Sequence, residues 1–124
     1  MNNIHDCKIL NYQIDFENSK IEIIALSDHD KLVRILFEDF LAFHFENQIP
    51  NSILLDIVEG EIASFVLENK ELLNKGKAYD WPMDYCHVDE IVHHIQKNSY
   101  QYYKIRSSYG LNGWVLSRNV TVDE

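Results

Sequence analysis

The stretch "KLVRILFEDFLAFHFEN", Lys31–Asn47, decides the fold. Read as a strand, it puts Val33, Ile35, Phe37, Leu41, Phe43 and Phe45 on one face at the two-residue period of a half-buried sheet. A helix can be forced onto the same letters, but the aromatic and β-branched content favours strand, and so does the strict alternation around "FLAFHFE". Asp39 interrupts the apolar row. A bulge or break near "EDF" is therefore expected, turning that carboxylate out of the core.

Working outward, "LNYQIDF" alternates Leu10, Tyr12, Ile14 and Phe16 with polar residues, and "IEIIALS" follows it across the turn "ENSK", Glu17–Lys20. Both read as strands, with "SDHD", Ser27–Asp30, as the next polar connection. Downstream, "NQIPN" ends pairing because Pro50 cannot donate to a ladder, and the apolar run "SILLDI" is expected to form a fourth strand. The period then changes. In "VEGEIASFVLENKELLNKG", Ile62, Phe65, Val66, Leu72 and Leu73 share a helical face, with Gly76 placed to stop it. After the irregular crossover "KAYDWPMDYCH", residues Val88, Ile91, Val92 and Ile95 fall at three- and four-residue spacing and predict a second helix.

The chain closes with "YQYYKIRSS" and "GWVLSRNV", two strands around "RSSYGLNGWVLS", Arg106–Ser117. Asn112–Gly113 is the sequence of a tight I′ turn, whose two positions both need positive φ. That turn sets Leu111 opposite Trp114 and Tyr109 opposite Leu116; a four-residue loop, Gly110–Gly113, would shift the pairs but keep the faces. One face then carries Tyr103, Ile105, Tyr109, Leu111, Trp114, Leu116 and Val120. The other carries Tyr102, Lys104, Arg106, Ser108, Ser117 and Asn119. The expected fold is α+β in a single domain, 1–124: an antiparallel sheet of five or six strands, with two helices inserted before a C-terminal β-hairpin.

Charge narrows the function classes. The formal net charge is −9, and residues 1–69 hold 13 Asp/Glu against 4 Lys/Arg while residues 70–124 balance. So acidic a surface repels phosphate backbones and argues against a nucleic-acid binder, while it attracts a basic partner. Apolar runs such as Ile23–Leu26 are too short to cross a membrane, and "MNNIHDCKIL" lacks the basic-then-apolar pattern of a secretory leader. Cys7 and Cys86 form no disulfide framework and read as free thiols, so a cytoplasmic protein is expected.

Candidate chemistry is sparse. "CHVDEIVHH" gathers Cys86, His87, Asp89, Glu90, His93 and His94, and a helix brings Glu90 near His93 or His94. Structural zinc is normally announced by two close ligand pairs, which this segment lacks, so solvated or helix-capping roles are expected for these side chains. His44 and Asp39 sit five apart and on opposite faces of a regular strand, against acid–base cooperation. Glu59 and Glu61 flank Gly60 near a helix start, where carboxylates suit the macrodipole. Ser107 and Ser108 lack the flanking glycines of a nucleophile elbow, and Gly110 and Gly113 do not make a phosphate loop. No catalytic residue, cofactor or metal is expected.

At "LVRILFEDFLAFHFENQIPNSILLDI" and again at "SSYGLNGWVLS" the chain resembles the small immunity proteins encoded beside bacterial polymorphic toxins. The resemblance implies a cytosolic inhibitor without catalysis of its own, which binds a cognate toxin domain and blocks its active site. Bottom-up reasoning leans the same way: a toxic nuclease must be basic to hold nucleic acid, and an acidic inhibitor imitates that ligand's charge. The expected contacts are Asp15, Glu17, Glu22, Asp28, Asp30, Glu38, Asp39 and Glu46, with Tyr12 or Phe40 as aromatic anchors. The alternatives are an adaptor module, able to form a homodimer through an exposed sheet edge, and a small metal protein or enzyme using the Cys86–His94 cluster.

Overall fold

The computed structural model describes residues 4–124. Six antiparallel strands close into a barrel: β1 (Lys8–Asp15), β2 (Lys20–Leu26), β3 (Leu32–Glu46), β4 (Ile53–Gly60), β5 (Gln101–Tyr109) and β6 (Asn112–Asp123). Their order around the barrel is β1-β2-β3-β6-β5-β4. Between β4 and β5 lie α1 (Ile62–Glu68), α2 (Lys70–Gly76), a short 3-10 turn and α3 (Val88–Lys97). The fold is the expected α+β arrangement ending in a strand pair. The helical content differs from the expectation, because the first predicted helix breaks at Asn69 into α1 and α2.

The long strand behaves as its sequence requires. Val33, Ile35 and Phe37 point into the barrel and are buried. Asp39 then takes φ 54° and the register with β6 slips between Phe40 and Ala42, so the bulge falls where the carboxylate interrupts the apolar row. Aspartate tolerates that left-handed backbone better than most residues, and outside the core it keeps its hydration. Phe43 and Phe45 pack on the barrel core with Val33, Ile35 and Phe37, as expected, but Leu41, expected on the same face, turns with Ala42 outward to the helices.

Two cores result. The barrel interior is filled by Ile21, Ile23, Val33, Ile35, Phe37, Ile57, Ile105 and Val115, among others. A second apolar layer, between the outer wall of the barrel and the helices, holds Ala42, Phe65, Leu73, Ile91, Ile95, Tyr102, Trp114 and Leu116. Strands β5 and β6 therefore serve both sides, and their central residues are buried without alternation, as a sheet covered on two faces demands.

That double duty corrects the predicted hairpin. Trp114 and Leu116 do not share a face with Tyr103 and Ile105: they pack on the helices with Tyr102, which had been assigned to a polar face. The pairing is also different, with Lys104 opposite Trp114 and Ile105 opposite Gly113. β5 pairs with β4 from Tyr102, opposite Gly60, to Tyr109, opposite Ile53, while its register with β6 runs only from Gln101 to Ile105. Asn112 is not in the left-handed region; its Oδ1 instead accepts the Ser107 N–H at 2.9 Å. The positive φ belongs to Gly110, at 85°, where a Cβ would strike the Ser52 hydroxyl. Gly113 is required for a different reason: a Cβ there would lie 2.0 Å from the His44 carbonyl oxygen on β3. β6 lies this close to β3 at the glycine because only a bare backbone fits.

α2 ends at Gly76, as expected, although not through a left-handed glycine. Gly76 keeps helical φ, and the chain turns at Asp80, which has φ 58°. Glu61 takes the N-cap position of α1 without a side-chain bond to the helix, whereas Glu59 lies within β4.

Candidate protein-binding surface

The predicted contact residues are divided by the barrel into separate places. Asp15 and Glu17 belong to the β1–β2 connection, and the Phe40 N–H, donated to the Ser19 carbonyl at 3.1 Å, holds the β3 bulge against that turn. Glu38 and Asp39 therefore join Asp15 and Glu17 at one end. Asp28 and Asp30 lie on the β2–β3 turn, at the other end of the seven-residue β2, about 20 Å away by strand rise. Glu22 sits between them on the outer face and is paired with the Arg34 guanidinium. Glu46, the last residue of β3, meets His44 at 3.0 Å.

The β1–β2 end has a second feature. Phe16, 74% exposed, stacks against Phe40 at 6.3 Å and Phe43 at 6.4 Å between ring centroids, and Phe40 meets Phe43 edge-on at 5.5 Å. The row continues inward through Phe45 to Tyr12, whose hydroxyl donates to Gln48. Phe16 is exposed because pairing ends one residue earlier, at Asp15 opposite Lys20, so no neighbouring strand covers the ring. An aromatic ridge beside Asp15, Glu17, Glu38 and Asp39 is the composition of a contact surface, with apolar anchors inside a charged rim. Asp15 stays ionised readily: the Asn18 side-chain amide and backbone N–H bonded to it hold its carboxyl below the ordinary range.

The two expected anchors, Tyr12 and Phe40, are both half-buried; the most exposed ring of this ridge is Phe16, which alternation marks only as the last residue of a strand. Its position at the strand's final step, immediately before "ENSK", was the signal available in the sequence.

Elsewhere, polar groups serve the fold. Ser107 Oγ donates to the Leu111 carbonyl and Ser108 Oγ to that of Ile53, so neither hydroxyl faces a base. Glu90 accepts the His87 N–H at 2.7 Å and the Cys86 N–H, capping α3 and holding its own carboxyl low. His94 contacts the Asn98 side chain, 3.1 Å away. Among the described residues, no three His, Cys, Asp or Glu side chains converge to hold a metal ion. Cys7 is buried and Cys86 exposed; burial, with Asp28, Glu124 and Asp6 nearby, pushes the Cys7 thiol up. Behind the barrel wall, Asn69 accepts the Trp114 indole N–H at 2.8 Å while its amide donates to the Phe65 carbonyl at 2.9 Å and to the Tyr102 hydroxyl at 3.2 Å. Burial pushes the Tyr102 phenol up to about 12.

No family model, curated protein or solved structure matches the chain. Among the described residues, no helix is long and apolar enough to cross a membrane.

Proposed function

We propose that this protein is a non-catalytic, cytosolic binding domain of the immunity type, which neutralises a cognate basic toxin domain by docking it on the β1–β2 end of the barrel. The observation that carries the reading is the exposed Phe16 ring, backed by the half-buried Phe40 and Phe43 and standing among Asp15, Glu17, Glu38 and Asp39. The ridge supplies desolvated area and the carboxylates supply attraction; rim charges chiefly raise association rates, while buried aromatics hold the complex. Asp28 and Asp30, at the far end, contribute to the long-range field but not to the contact. A partner built to grip nucleic acid carries the opposite charge, and a barrel with this end blocks its site by occupancy alone, without bond-making.

The test uses the basic product of the adjacent toxin gene. Mixed with this protein, it should form a stable complex whose association rate falls steeply as ionic strength rises, and its toxic activity should be lost. A rate indifferent to salt, or a complex that leaves the toxin active, overturns the reading.

A further inference from the structure

The barrel is closed on one side by a very short seam. Strand β1 pairs with β2 as far as Asp15, but with β4 only where Lys8 meets Ile53. Backbone bonds from Ile9 N–H to the Ser52 carbonyl and from Leu54 N–H to the Cys7 carbonyl, each 2.8 Å, finish the closure. A bulge between Ile9 and Asn11 follows, and from there to Asp15 the strand pairs, among the described residues, with β2 alone. Alongside the first part of this edge runs a groove of about 430 Å³, walled by Ile9–Tyr12, Gln48, Ile49 and Pro50. Leu10 and Ile49 stand at its mouth, both exposed.

Sheet edges are ordinarily guarded against added strands by lysine, proline or a covering loop. "NYQID", Asn11–Asp15, carries neither lysine nor proline, and the loop Gln48–Pro50 flanks it at Asn11 and Tyr12, across the groove. We infer that this edge is a docking site for an extended, cationic segment of the partner, received as an added strand that runs past the groove toward Phe16. The inference rests on the proposed function only for the partner's charge. Pairing with β1 sets the pattern of that segment, since Tyr12, Ile14 and Phe16 lie on one face and Asn11, Gln13 and Asp15 on the other. Apolar residues must alternate with arginine or lysine, the apolar set continuing the aromatic row and the cations meeting Asp15 and, past it, Glu17. Main-chain bonds give such a strand its affinity and the alternate side chains its specificity. A second copy of this chain is a poor occupant, because each copy brings a net charge of −9 to the contact.

The experiment uses the whole chain and a capped eight-residue peptide of alternating valine and arginine as probe. Binding is read by fluorescence anisotropy, and the site by amide hydrogen exchange. The peptide should slow exchange of outward-facing amides within Asn11–Asp15. An analogue methylated on all backbone nitrogens, with the same charge but no donors, should bind at least about tenfold more weakly, as loss of several main-chain hydrogen bonds requires. Gln13→Lys should weaken the parent peptide about two- to fivefold and Gln13→Glu should strengthen it similarly, the size of an exposed ion pair. Equal binding of the methylated analogue, or protection confined to other strands, overturns the inference. So does self-association that protects the same amides, which would name a second copy as the occupant. If the toxin domain binds while these amides exchange as in the free protein, the edge is excluded and the proposed function stands. If the peptide adds to β1 and the toxin domain does not bind, the reverse holds.

Discussion

Replacing Phe16 by alanine separates a contact residue from a core residue. With 74% of Phe16 exposed, about a quarter of its surface is removed from water in the free protein. Full burial of a phenylalanine stabilises by about 1.5–3 kcal/mol, so the buried quarter contributes roughly 0.4–0.8 kcal/mol. Its two ring contacts, both beyond 6 Å between centroids and partly wet, bring the total to about 1 kcal/mol. The same truncation at Phe37, 0% exposed in the barrel interior, should cost about 3–5 kcal/mol. Binding should show the reverse order of sensitivity. A central aromatic anchor loses about 2 kcal/mol or more on truncation, roughly a thirtyfold weaker complex. The assay pairs urea denaturation, which gives stability, with the dissociation constant for the toxin domain. Phe16→Ala that loses more than about 2 kcal/mol of stability while binding normally would refute the assignment of this ring to the contact surface.

Three further outcomes follow from the fold. Asn69→Ala strands the indole N–H of Trp114, which is only 4% exposed, and should lower stability by about 2–4 kcal/mol in urea denaturation, whereas Asn69→Asp, which keeps the acceptor, should cost less. Gly113→Ala forces a Cβ onto the His44 carbonyl and should destabilise the β3–β6 pairing, read as faster exchange of amides in Phe43–Phe45. Glu90 has a folded pKa below its ordinary value of 4.5, so its cap stabilises above that value and is lost as pH falls through the folded pKa. The difference in denaturation midpoint between the natural chain and Glu90→Gln should therefore be full at neutral pH and shrink in acid; a difference that grows in acid contradicts the cap.

Local pattern carried much of this architecture. The period of "LVRILF" and the misfit of Asp39 located both the long strand and its bulge, because each depends on one residue's preference for water or for a particular φ. The helix over Val88–Lys97 was legible from its spacing for the same reason. The hairpin register was not, since Ser52 and His44, distant in sequence, decide where Gly110 and Gly113 must lie. The faces of β5 and β6 were misread because an alternation rule assumes one wet side, and the helices cover that side here; the unbroken run Trp114–Ser117 was the sign of it. At the binding surface, charge was visible but grouping was not. Carboxylates close together along a meander are carried to its opposite ends, with Glu22 between them and Glu46 at the far end of β3, so sequence proximity from Asp15 to Glu46 does not become one patch.

That division permits a decisive comparison. Glu17→Gln with Asp39→Asn removes two negative charges from the aromatic end, and Asp28→Asn with Asp30→Asn removes the same charge from the opposite turn; asparagine keeps the left-handed backbone of Asp39 and Asp30. Stopped-flow association with the toxin domain across a range of salt concentrations should show the first pair slowing association several-fold and flattening its salt dependence, with the second pair causing a much smaller change. Equal effects from the two pairs, or a larger effect from Asp28 and Asp30, would contradict docking on the Phe16 end.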